Sequence, residues 1–147
     1  TISASHAPSP GEDSDEFVKA FKKINDDFNK GPDKTWDNNV LQGMNIAYLT
    51  TSALLGAGKN LTRPGIIKYI EANGAKLSSA ALSPLGYSAK THEAFTGFWI
   101  GAYDASSTLK PIDGTRKVWT TDSGTGAVTE LKYTRPAIAA DALPKVG

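Results

Sequence analysis

The sequence predicts an α/β fold, with three helices in the first half of the chain and β-strands in the second. Apolar residues recur at helical spacing three times before Lys76. After it, glycines and prolines punctuate short stretches rich in Thr, Val, Trp and Tyr. The composition supports one globular domain: 147 residues with 39% hydrophobic and 21% charged side chains can bury a core.

The first element is a short β-prone opening at Thr1 to Ser5, broken by Pro8-Ser-Pro-Gly11. Asp13-Ser-Asp-Glu16 is a helix start of the capping-box kind, and Phe17, Val18, Phe21, Ile24 and Phe28 then repeat on one helical face. Lys19, Lys22, Lys23, Asp26 and Asp27 occupy the other side, and Asn29-Lys-Gly31-Pro32 ends the run. A second helix begins near Asp37-Asn38-Asn39. Val40, Leu41, Met44, Ala47, Tyr48, Ala53, Leu54 and Leu55 surround much of its circumference, which predicts the most buried helix of the fold. Thr62 caps a third, holding Ile66, Ile67, Tyr69, Ile70 and Ala72 and closed by Asn73-Gly74.

In the second half, Phe95 to Tyr103 is the best strand, and Val118 to Thr121 pairs with Val128 to Tyr133 as a hairpin. Asp113-Gly114 and Ser123-Gly124 mark turns. From Arg135 onward, two prolines and the lack of any period predict an extended tail, lying on the body or fraying from it.

Charge and composition exclude several function classes. Sixteen basic against fifteen acidic residues give a net charge of +1, too little to hold nucleic acid or an anionic membrane. The absence of cysteine removes disulfides, thiolate zinc sites and a cysteine nucleophile, and leaves the compartment open. No apolar run approaches the roughly 20 residues that span a bilayer. Thr1 is not an initiator Met, and Thr1 to Ala7 has neither the basic nor the apolar region of a signal peptide, so the chain is expected to have been cut or processed.

Candidate motifs mostly read as structure. Gly56-Ala-Gly58-Lys59-Asn60 lacks the first glycine, the Ser or Thr after Lys, and the preceding strand of a phosphate loop, so it reads as a helix end. His6 and His92 have no carboxylate or nucleophile at metal or triad spacing, because the position that would complete His-Glu-x-x-His after His92 is Thr96. No metal and no cofactor is expected, and no enzyme, since no nucleophile stands beside a base. Asn60-Leu-Thr62 matches the glycosylation sequon, but Thr62 already has its capping role. Trp99 reads as core and Trp119 as a hairpin face. Trp36, just before a helix start, suits a cleft wall as well as ordinary packing.

Taken in succession, Phe17-Val-Lys-Ala-Phe-Lys-Lys23, Gly43-Met-Asn-Ile-Ala-Tyr-Leu49, Ala53-Leu-Leu-Gly-Ala-Gly-Lys59 and Leu61-Thr-Arg-Pro-Gly-Ile-Ile67 resemble the C-terminal portion of the type I periplasmic binding proteins. The similarity is to the Leu/Ile/Val-binding, or extracellular ligand-binding receptor, group of ABC importers. Leu85-Gly-Tyr-Ser-Ala-Lys-Thr-His-Glu-Ala-Phe-Thr-Gly97 and Phe98-Trp-Ile-Gly-Ala-Tyr103 extend it, so that it covers roughly residues 14 to 104.

The resemblance implies a two-lobed fold, each lobe a parallel sheet flanked by helices, closing on a solute about a hinge of crossover strands. Residues 1–94 would form the second half of one lobe, and residues 95–147 the last crossover strand, a hairpin and a tail. A missing N-terminal portion of the same protein would supply most ligand contacts, so these residues alone are expected to bind weakly or not at all, and to self-associate through exposed edges. The family contact in this region falls on or beside Asn39, with Trp36, Asp37 and Asn38 adjacent. A helix N-terminus there suits an anionic or polar ligand. Met44, where an aromatic residue is usual, and the long tail depart from the family pattern and leave the ligand's identity open.

The implied function is the solute-binding component of an ABC importer, taking a small polar solute such as a branched-chain amino acid. Its partner is the permease complex. Its location is the periplasm or the cell exterior, free or held by an N-terminal lipid upstream of Thr1. The second reading is a stand-alone α+β interaction module without a transport role. Asn39→Ala is expected to weaken ligand binding more than stability.

Overall fold

The computed structural model describes residues 1–59, 61–120 and 126–145. Strand β1 (Ile2–Ser5) is followed by helices α1 (Glu16–Phe28), α2 (Asn38–Ala57) and α3 (Arg63–Asn73) and a short 3-10 turn at Gly74–Lys76. Strands β2 (Gly97–Tyr103), β3 (Leu109–Pro111), β4 (Trp119–Thr120) and β5 (Thr129–Glu130) complete the fold. The class is therefore mixed α and β, with an opening strand, then the helices, then the remaining described strands, as the sequence predicts.

Each helix begins where a side chain can satisfy its first donors. The Asp15 carboxylate accepts from the Phe17 and Val18 amides at 3.0 and 3.2 Å. Asp37 accepts from Val40 at 2.9 Å, and the Thr62 hydroxyl accepts from Gly65 at 3.2 Å. The predicted helix end at Gly56 to Lys59 is observed: α2 stops at Ala57, and Gly58 adopts φ +60°, a conformation that favours glycine. Gly56 serves a different purpose, because a Cβ there would lie 1.9 Å from the Tyr69 ring of α3. Its missing side chain lets α2 and α3 approach closely. The sequon residue Asn60 and the Ser123-Gly124 turn lie outside the described residues.

The described strands form one antiparallel sheet in the order β1-β2-β4-β5, with β3 pairing the end of β2. Ile2 faces Ala102 and Ser5 faces Trp99 across the first pair. Trp119 faces Glu130 across the predicted hairpin. The parallel sheet that the resemblance implies is not formed among the described strands. The three helices follow one another with no described strand between them, and the strands on either side of them, β1 and β2, pair antiparallel.

The core lies between α1 and α2, where Phe17, Val18 and Phe21 meet Leu41, Tyr48 and Ala80, with Trp36, Met44 and Ile138 packed around them. Along β2, Gly97, Trp99 and Gly101 are buried while Phe98 and Ile100 face outward. Trp99 is core, as predicted, and its indole N–H donates to the Ala7 carbonyl at 2.8 Å. Helix α2 departs from the expectation of burial on most sides. Leu41, Asn45, Tyr48, Ser52 and Ala53 form one buried face, whereas Ile46 is 60% exposed and Leu54 and Leu55 are also open. Packing against α1 and α3 covers only part of its circumference.

The tail lies on the body. Arg135 pairs with Asp15 at 2.5 Å, donates to the Ala80 carbonyl at 3.0 Å, and stands 4.7 Å above the Phe17 ring. Lys22 with Asp26 and Lys23 with Asp27 form the exposed ion pairs expected on the outer face of α1. His92 is exposed beside Glu71 at 3.0 Å. His6 is half-buried, stacked on Phe95 with ring centroids 3.7 Å apart and bonded to the Gln42 side chain at 2.9 Å.

Burial lowers the pKa of His6 below its ordinary value of 6.5, with the Gln42 hydrogen bond acting weakly the other way. The unfolded chain therefore takes up this proton more readily than the folded one. The contribution of neutral His6 to stability is complete above pH 6.5 and falls as the pH drops through 6.5 toward the lowered folded value. Chemical denaturation between about pH 7.5 and 5 should show a steeper loss of stability in the native chain than in His6→Phe. Parallel pH profiles would contradict this assignment.

Candidate functional site: a cleft at the start of the second helix

Four separated segments enclose a cleft of about 470 Å³. Its walls are β1 (Ser3, Ala4, Ser5), the loop from Pro8 to Gly11, the entry to α2 (Trp36, Asp37, Asn38), and the β2–β3 turn (Tyr103, Ser106, Ser107, Thr108, Leu109). The volume lies in the range of small-molecule sites, roughly 300–1,000 Å³.

The walls are joined by hydrogen bonds that originate in the Pro8–Gly11 loop. The Ser9 hydroxyl donates to the Leu109 carbonyl at 2.7 Å, and the Trp36 indole donates to the Pro10 carbonyl at 2.9 Å. The Ser9 amide donates to Glu12 at 2.6 Å, and Arg116 grips the same carboxylate at 2.7 and 2.5 Å. The β2–β3 turn is built on Asp104, which accepts from the Ser106 hydroxyl and amide and from the Thr108 amide at 2.7 to 2.9 Å. The Ser106 hydroxyl bond, followed by the Thr108 amide, holds the Asp104 carboxyl below the usual carboxylate range. This wall therefore keeps its shape without a ligand.

Three of the four residues singled out from the sequence stand in the cleft wall: Trp36, Asp37 and Asn38. Trp36 plays both of the parts open to it, since it lines the cleft and packs on the core. Asn39 is exposed and outside the wall. One residue along a helix turns the side chain by about 100°, which carries Asn39 away from the side that Asn38 presents.

The electrostatics differ from the anion-binding picture. Among the described residues, Asp37 is the only acidic or basic side chain in the wall, and its carboxylate already caps the helix by accepting from Val40. An anion entering here would meet that carboxylate, whereas an ammonium would find an acceptor together with serine and threonine hydroxyls. The sequence reading missed the walls from β1, the Pro8–Gly11 loop and the β2–β3 turn. Two signals were present: Ser3 and Ser5 alternate onto one face of β1, and the Asp104-x-Ser106-x-Thr108 spacing suits a side-chain-stabilised turn.

A second, apolar groove of about 310 Å³ runs between α2 and α3, lined by Leu49, Ala53, Leu54, Ile66, Ile70 and Tyr87 among others. Among the described residues, no group of three or more His, Asp or Glu side chains is arranged to hold a metal ion, and no helix is long and apolar enough to cross a membrane. No known family, curated protein or solved structure matches the chain.

Proposed function

We propose that the chain is part of the solute-binding component of an ABC importer, and that its cleft takes an ammonium-bearing polar solute of the branched-chain amino-acid class. In this reading the cleft is the portion of the binding site contributed by one lobe of a two-lobed fold. The remaining contacts come from an N-terminal portion of the same protein, and lobe closure delivers the solute to a permease complex in the periplasm or outside the cell. Asp37 receives the ammonium, the hydroxyls of the β2–β3 turn receive further polar groups, and Trp36 provides the apolar wall. No bond of the solute is made or broken.

The observation that carries this reading is the cleft itself. Three of the four residues that the resemblance implies at the ligand site, Trp36, Asp37 and Asn38, border a preformed cavity whose one charged side chain among the described residues, Asp37, matches an amino group. The rival reading, a stand-alone α+β interaction module, draws on the small antiparallel sheet and on the core that α1 and α2 build with Ala80, Trp36 and Ile138.

Ligand that binds only the native state stabilises it by about 1.4 kcal/mol at ten times its Kd. Thermal denaturation with leucine, isoleucine or valine in that excess should therefore rise by about 3 to 6 °C. Asp37→Asn retains a capping oxygen but not the charge, and should abolish most of the rise, while Asn39→Ala should leave it nearly intact. Equal stabilisation of the native chain and Asp37→Asn would remove Asp37 from the site.

A further inference from the structure

We propose that two copies of this chain associate by antiparallel pairing of their β1 strands, with a two-fold axis at Ser3. The inference is independent of the solute reading and begins from the hydrogen-bond phase of β1. The Tyr103 amide donates to the Thr1 carbonyl at 3.0 Å, so Thr1, Ser3 and Ser5 direct their backbone groups toward β2. The backbone N–H and C=O groups of Ile2 and Ala4 consequently point off the opposite edge. No other described strand pairs with that edge.

The sheet's edges are not equally protected. Strand β3 carries Lys110 and Pro111, and β5 carries Glu130, with Lys132 just beyond it. Charges and proline on an outer strand discourage pairing with another chain. Strand β1 reads Ile-Ser-Ala-Ser, with no charge and no proline. It is therefore the edge most open to a further strand.

The occupant is a second β1 because the strand is complementary to itself. With Ser3 opposite Ser3 of the other copy, Ile2 faces Ala4 in both directions, and the Ile2 and Ala4 backbones exchange four hydrogen bonds. The alternation is preserved, so that the serines of both copies remain on the cleft side and Ile2 and Ala4 remain on the face shared with Phe98 and Ile100. Ile2, 69% exposed in the single chain, gains a neighbour across the new pair. Without a charge on either strand, no like-charge repulsion opposes the contact.

Sedimentation velocity over a concentration series tests the proposal. The native chain should shift from monomer to dimer as concentration rises. Ala4→Pro removes the outward donor but no hydrogen bond to β2, and should raise the concentration needed for association by about tenfold or more. Ser3→Lys and Ser3→Glu each place like charges across the two-fold axis and should be monomeric alone, while an equal mixture of the two should dimerise. This mixing experiment supplies the answer should Ala4→Pro fail to fold. A native chain that remains monomeric at every concentration would overturn the proposal. So would a dimer unaffected by these substitutions, which would place association on another surface.

Discussion

Arg135→Met is expected to destabilise the fold by about 3–5 kcal/mol, because it leaves the Asp15 carboxylate buried without its partner. The side chains of Arg135 and Asp15 are only 13% and 7% exposed, and the pair closes at 2.5 Å. The substitution also removes the hydrogen bond to the Ala80 carbonyl and the cation above Phe17. These contacts join the tail, the start of α1 and the segment after the 3-10 turn at a single point. For a chain of this length the loss corresponds to a fall of about 6 to 20 °C in Tm. Adding Asp15→Asn keeps an oxygen to cap α1 but removes the stranded charge, and the double variant should recover part of the loss. Calorimetry of the two variants checks both statements. Additive losses would show that the pair is not coupled.

Trp99→Ala should cost a similar amount, about 3–5 kcal/mol, through lost burial and the cavity left behind. Trp99 is 1% exposed, and its indole also satisfies the Ala7 carbonyl, the residue before the Pro8–Gly11 loop. Trp99→Phe fills more of the space but leaves that carbonyl with the Ser5 hydroxyl, at 2.9 Å, as its remaining donor, with an expected loss of about 0.5–1.5 kcal/mol from the hydrogen bond. Because the loop forms one wall of the cleft, Trp99→Phe should weaken solute binding as well as stability. Urea denaturation gives the first effect and ligand titration the second. A variant that loses stability with unchanged affinity would separate the indole from the cleft.

The parts of the fold that depend on neighbours in sequence were readable in advance. Asp15, Asp37, Thr62 and Gly58 mark helix ends, and each acts through donors or acceptors within a few residues. The hairpin between Trp119 and Glu130 and the strand at Gly97–Tyr103 have the same local origin. Features requiring distant partners were not readable. Arg135 lies 120 residues from Asp15, and no periodicity announces such a pair. The sequence of α2 is apolar on many sides, and its spacing alone does not reveal which flank remains uncovered, as at Ile46 and Leu54. In the cleft, Trp36, Asp37 and Asn38 were accessible from one short segment, but the other walls come from regions that only the sheet brings together. The proposed preference for an ammonium also needed structure, since it is argued from Asp37 being the sole charged group in that wall among the described residues.

Nuclear magnetic resonance titration of the isotope-labelled chain with leucine, beside N-acetyl-leucine, tests the central claim most directly. It detects binding even at millimolar affinity and reports where the ligand sits. Leucine should shift the amides of Asn38 to Leu41, Gly11 and Ser106 to Thr108 in a saturable manner. N-acetyl-leucine, which lacks the ammonium, should leave them in place. Absence of leucine-induced shifts in the cleft, or equal shifts with both compounds, would contradict an amino-acid-binding cleft organised around Asp37.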